Sequence, residues 1–196
     1  LSGAGTGKTR VLTARLANLL YSNVTKPWNV LAVTFTNKAA KEMRARLEGL
    51  IGASANSVWL GTFHSIGARI LRENAELVGL SSNYTIITPD DQVRLIKQIM
   101  LDENIDIKKF TPKVMSGLIG SWKDNAQKPE NVNASNNEYF ADGKALQIYQ
   151  AYQSRLLTLN LADFGDLLLY NLTIFSENPD ILKQYQLKIS YFLVDE

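Results

Sequence analysis

The sequence has no cysteine and a single histidine, His64. Disulfides and cysteine-ligated zinc are excluded, and a histidine-rich metal site is impossible, so any metal must be held by oxygen. No apolar run is long enough to span a bilayer and no secretory leader stands at Leu1, so the expectation is a cytoplasmic protein without a membrane partner. Repeats, heptads and low-complexity tracts are lacking too. Net charge is small, +2 over 196 residues, and does not by itself identify a partner. Its distribution is uneven. Residues 1–80 carry ten Lys/Arg against four Asp/Glu, whereas residues 81–196 carry eleven against fifteen. A basic first half fits a polyanion such as nucleic acid, and equally a solvated positive face.

What is present is concentrated near the first residue, in the stretch SGAGTGKT from Ser2 to Thr9. Gly3, Gly5 and Gly7 alternate with Ala4 and Thr6, which lets consecutive amide N–H groups turn inward toward an anion. Lys8 adds a point charge for the β- and γ-phosphates, Thr9 offers a hydroxyl to Mg²⁺, and the following helix aims its positive dipole end at the same place. The usual spacing begins with glycine, and Ser2 departs from it. The competing reading is a glycine-rich start to an ordinary helix.

Along the chain, Leu12, Leu16, Leu19 and Leu20 recur at helical spacing from Lys8 to about Ser22. Val30–Phe35 is a nearly continuous apolar run, the pattern of a parallel strand buried on both faces. Thr36 or Asn37 caps the next helix, which ends near Gly49 to Gly52. Ser57–Phe63 is expected to be a strand and Ser65 to Val78 a helix. Loop, helix, strand, helix, strand, helix implies a parallel α/β sheet, with all strand-to-helix turns on the edge that carries the phosphate loop. Beyond Tyr84–Thr88 the pattern becomes helical up to about Leu187, with a polar surface loop at 128–143. Ile189–Val194 then returns to a buried strand.

That last strand ends in Asp195 and Glu196, at the edge where the phosphate loop opens. Asp195 can hold Mg²⁺, and Glu196 can orient or deprotonate the water that attacks the γ-phosphate. Phe35-Thr36-Asn37-Lys38 and Thr62-Phe63-His64-Ser65 each combine a flat ring, small donors and a helix start, and Lys38 adds a cation. Together they can grip the backbone and a base of a single strand. Each turn also has a plainer reading, with Phe35 and Phe63 as core residues and Asn37 as a cap.

These residues resemble the N-terminal part of a superfamily 1A DNA helicase of the UvrD, PcrA and Rep type. Ser2–Thr9 resembles the first motif of that family, Ala32–Met43 (AVTFTNKAAKEM) its motif Ia, and Gly61–Ser65 (GTFHS) its motif Ib. Asp163–Leu168 (DFGDLL) is similar to the short acidic-aromatic motif before the second Walker motif, and Leu193–Glu196 (LVDE) to the start of that motif. The resemblance implies an α/β fold, a RecA-like P-loop NTPase parallel sheet with an inserted helical subdomain. Domain 1A would occupy residues 1–64 and 189–196, and helical domain 1B residues 65–188.

It further implies ATP and Mg²⁺ as cofactors, and 3′-to-5′ translocation on single-stranded DNA with unwinding at single-strand/duplex junctions, in repair or replication. Repair accessory proteins are the further class of partner, and oligomeric state is not legible. Residue by residue, Lys8 and Thr9 bind phosphate and Mg²⁺, Asp195 holds Mg²⁺, and Glu196 is the base. Phe35, Thr36, Asn37, Lys38, Thr62, Phe63 and His64 face DNA. Arg10 lies near the nucleotide or is a solvated helix charge; Asp163 and Asp166 belong to the motif or cap a helix. Both ends look cut, so the chain is expected to be a fragment. It would lack the arginines that stabilise transition-state charge, and alone be nearly inert as an ATPase. Rival readings are a nuclease-linked helicase of the AddA or RecB type, a P-loop phosphotransferase, and a non-catalytic docking module.

Overall fold

The computed structural model describes residues 7–132 and 140–195. The chain divides into two compact units, the first formed by Leu1–Arg69 with Phe175–Glu196 and the second by Ile70–Ile174.

The first unit is built on a parallel sheet of β1 (Val30–Thr34), β2 (Trp59–Thr62) and β5 (Tyr191–Asp195), in the order β2-β1-β5. Ala32 stands level with Leu60 and Leu193, and Thr34 with Thr62 and Asp195. Side chains level with one another share a face, so Val30, Ala32, Leu60 and Leu193 form one apolar surface. Helices α1 (Lys8–Tyr21) and α2 (Asn37–Ile51) bury it, through Leu16 and Ala17 on one and Ala40, Met43 and Leu47 on the other. Each fully buried Met or Leu here contributes about 1.5–3 kcal/mol by leaving water. Arg44 ties α2 to β2, donating to the carbonyl oxygens of Ala55 and Leu60.

Helix α3 (Phe63–Glu73) begins at Phe63, two residues before the expected Ser65. Thr62 explains the shift, since its Oγ1 accepts from the Ser65 N–H and so supplies the helix start from inside the strand. A Cβ on Gly61 would collide with the Ser65 hydroxyl, which fixes glycine there. Helix α8 (Pro179–Lys188) leads back into β5.

In the second unit, α4 (Pro89–Asp102), α5 (Pro112–Asp124) and α6 (Ala145–Thr158) enclose a core that includes Ile96, Met100, Met115, Ile119 and Tyr149. Trp122 stacks on Tyr149 with ring centroids 5.4 Å apart. Within Tyr84–Thr88, where the pattern changes, lies the short β3 (Thr85–Ile86), which pairs in parallel with β4 (Leu161–Ala162), a strand the sequence pattern did not reveal. Two residues are too few for periodicity to show. Helix α7 (Asp166–Glu177) follows β4.

Candidate nucleotide and nucleic-acid site

Gly7 has φ +79°, the left-handed region that glycine tolerates, and it caps α1. Gly3, Ala4, Gly5, Thr6 and Glu196 lie outside the described residues, as does the Lys8 side chain, although its backbone opens α1. Arg10 is exposed on the first turn of that helix.

The two oxygen donors read from opposite ends of the sequence meet. Thr9 Oγ1 donates to Asp195 Oδ2 at 2.6 Å, bridging the first turn of α1 and the last residue of β5. Asp195 is buried. A hydroxyl and a carboxylate are hard oxygen donors of the kind Mg²⁺ prefers, and Mg²⁺ takes one or two protein oxygens while substrate phosphates and water complete its shell. Among the described residues there is no cluster of three or more His, Cys, Asp or Glu able to hold a metal. The Thr9–Asp195 pair therefore fits Mg²⁺ held jointly with a phosphate, and does not fit a cage made of protein alone.

Both turns emerge at the same sheet edge, because Thr34, Thr62 and Asp195 stand level at the strand ends. Thr34 Oγ1 donates to the Thr36 carbonyl at 3.0 Å, and Thr36 Oγ1 accepts from the Ala39 N–H at 3.1 Å. Thr36 is thus the cap and Asn37 the first residue of α2. Phe35 is 84% exposed and Phe63 46% exposed, so the core reading fails for Phe35. Asn37 and Lys38 are exposed, His64 is half-buried, and Thr62 is buried with its hydroxyl engaged at the start of α3. The edge therefore offers two rings, an amide and a cation, with the threonines shaping the turns that carry them.

The family description "UvrD/REP helicase N-terminal domain" matches residues 1–196. The chain belongs to the UvrD/REP helicase family. DNA helicase II of Rickettsia typhi is 50% identical over 199 residues, covering 100% of this chain and 30% of the relative. ATP-dependent DNA helicase PcrA of Staphylococcus epidermidis is 44% identical over 196 residues, covering 100% of this chain and 27% of the relative. The chain thus spans less than a third of the length of these curated relatives.

Sequence reasoning missed one polar centre in this UvrD/REP chain, within the second unit. Lys123 of α5 lies 2.7 Å from both Asp163 Oδ2 and Asp166 Oδ1, and all three side chains are buried. Tyr152 donates to Asp163 and Gln153 to Asp166. The Asp166 N–H donates to Asp163 Oδ1, and the Asp163 N–H to Asp166 Oδ2, a reciprocal cap that starts α7. The cap reading of these aspartates is the one the hydrogen bonds bear out. Burial pushes Asp166 up to about 6, with Lys123 opposing and the Asp163 charge adding to the rise. For Asp163 burial also raises the pKa, but Lys123 and the hydrogen bonds from Lys123, Asp166 and Tyr152 outweigh it and hold the carboxyl below the usual carboxylate range. The aspartate pair was legible as a motif. Lys123 was not, because in sequence it sits beside Asp124 like any surface charge.

Proposed function

We propose that this chain is the ATP-binding motor portion of a DNA helicase that couples hydrolysis to movement on single-stranded DNA. The observation that carries the reading is the 2.6 Å contact between Thr9 and Asp195 at the sheet edge from which Phe35 projects. In this reading residues 1–64 and 189–196 form the RecA-like domain 1A and residues 65–188 the helical domain 1B. Translocation runs 3′ to 5′, with unwinding at single-strand/duplex junctions in repair or replication, as the family resemblance implies.

Lys8 and the amides of Gly3 to Gly7 hold the phosphates, and Arg10 stands near the nucleotide. Thr9 and Asp195 hold Mg²⁺, which when bound neutralises charge on the phosphate oxygens. Thr9 would offer the ion its hydroxyl oxygen in place of its hydrogen bond to Asp195, and Asp195 its carboxylate. Glu196, next in the chain, takes the proton of the attacking water. Phe35 and Phe63 offer stacking surfaces to bases, and Asn37, Lys38 and His64 polar contacts to the strand, while Thr36 and Thr62 fix the two turns.

The test is ATP hydrolysis by the full-length protein with and without single-stranded DNA, beside Lys8→Ala. The expected result is strong stimulation by DNA and loss of turnover in the variant. Turnover indifferent to DNA would favour a phosphotransferase and defeat the motor reading. The isolated chain is expected to turn over ATP slowly, since arginines from elsewhere supply about 10³ to 10⁵ in rate at related phosphoryl-transfer sites.

A further inference from the structure

At the other end of α1 lies a groove that the nucleotide and DNA reading does not use. It holds about 480 Å³ and lies between the C-terminal ends of α1 and α2 and the short turn Pro27–Asn29. Leu20 and Ile51 line it and pack on the core of the first unit, so its base is firm. Its rim presents Tyr21, 72% exposed, Trp28, 53% exposed, and the half-exposed Leu50. Lys26 is the one charged side chain in the lining, and among the described residues it has no ion-pair partner.

Exposed Trp and Tyr beside an apolar base are the composition of protein-binding hot spots. Two features favour a peptide over a nucleic acid. A polyphosphate needs a row of cations, and here there is a single lysine. The ends of α1 and α2 that border the groove also carry the negative poles of their helix dipoles, which oppose a run of phosphates but leave Lys26 able to pair with one carboxylate. Asn23 and Ser54, also in the lining, supply polar groups for a peptide backbone.

We propose that this groove is a docking site for a peptide segment of a partner protein, one that places an apolar or aromatic side chain next to an Asp or Glu. The side chain lies between Trp28 and Tyr21, and the carboxylate pairs with Lys26. Helix α1 has 14 residues, so the groove at its C-terminal end stands about 20 Å from the start of that helix at Lys8.

The test is selection of a displayed library of random peptides on the purified protein, followed by affinity measurement of the enriched peptides as synthetic probes. Enriched sequences are expected to share an acid beside an apolar residue. Trp28→Ala is expected to weaken them about 30-fold, the effect of losing one hot-spot aromatic. Lys26→Glu is expected to weaken them and to restore binding when the acid of the peptide is changed to lysine. Both residues are exposed, and circular dichroism checks that the variants keep the fold. Failure to enrich any common pattern, or equal binding by wild type and both variants, would overturn the proposal. So would loss of oligothymidylate binding rather than peptide binding in the variants, which would make the groove a nucleic-acid surface. The selection uses no nucleotide, so its outcome is independent of the ATPase result.

Discussion

Aspartates serve opposite ends in the two units. At the sheet edge of the first, the side chain of Asp195 has, among the described residues, one hydroxyl partner in Thr9, and the ring of Phe35 is exposed at the same edge. In the second unit, Asp163 and Asp166 have all four carboxylate oxygens engaged, by a lysine, a tyrosine, a glutamine and two backbone amides. In the proposed reading the same functional group is held in readiness for a ligand in one place, whereas in the other it is consumed by the fold. What separates them is completeness of pairing. In the buried network every carboxylate oxygen is engaged, although Gln153 Oε1 beside them has no hydrogen-bond partner among the described residues, whereas a binding edge works because some of its capacity is left for something else.

The sharpest way to break this contrast is Lys123→Met. Two carboxylates would then share a dry site without a cation, and removing one member of such a set costs about 3–5 kcal/mol. Urea denaturation at about pH 7 should show the second unit severely weakened, and recovering partly toward about pH 5 as the carboxylates protonate. A loss below about 1 kcal/mol would mean that the triad is incidental.

The wild-type protein carries a milder form of the same signal. Asp166 has a folded pKa of about 6, above its unfolded value, so the native state binds the extra proton and stability rises as pH falls from about 7 toward 4. Asp163 is shifted the other way, so below the unfolded value near 4 its contribution is lost as it protonates. A denaturation midpoint that drops steadily between pH 7 and 5 would contradict this ordering.

Asp195→Asn should act on ligand binding instead of folding. Stability is expected to change by about 1 kcal/mol or less, while Mg²⁺-dependent affinity for an ATP analogue falls by about 1.5–3 kcal/mol, read by titration with and without the metal. An unchanged Mg²⁺ dependence would remove Asp195 from the site. Phe35→Ala should leave stability within about 0.5 kcal/mol, given its exposure, yet weaken oligothymidylate binding by about 1–3 kcal/mol. Thr36→Ala is the smallest, about 1 kcal/mol of stability through loss of the α2 cap.

The parts legible in the sequence were those with a local signature. The periodicity of Leu12, Leu16, Leu19 and Leu20 marked α1, the unbroken apolar run at Val30 marked β1, and the last apolar run marked the strand that brings Asp195 to Thr9. Parallel topology then followed from alternation, and with it the convergence of Thr34, Thr62 and Asp195 on one edge. What stayed hidden depended on distant partners. Lys123 differs from a surface lysine only because α6 and the turn before α7 close over it, and the exposure of Phe35 could not be told from core burial by residue type. The β3–β4 pair is too short to carry a pattern. Thr62 acting as both strand end and helix cap was missed because the two roles are normally given to successive residues.

The pairing of β1 with β5 sets the order in which this chain can fold. Val30 and Tyr191 are neighbours in the sheet yet about 160 residues apart along the chain, so their encounter carries a large loop-closure entropy. The second unit, whose residues are contiguous, can gather its own helices before that encounter and shorten the free chain that must be closed. Strand β5, which brings Asp195 to Thr9, is therefore expected to join the sheet late. In the proposed reading the Thr9–Asp195 contact forms late, so Mg²⁺-dependent nucleotide binding is expected to report a late step of folding rather than the first collapse.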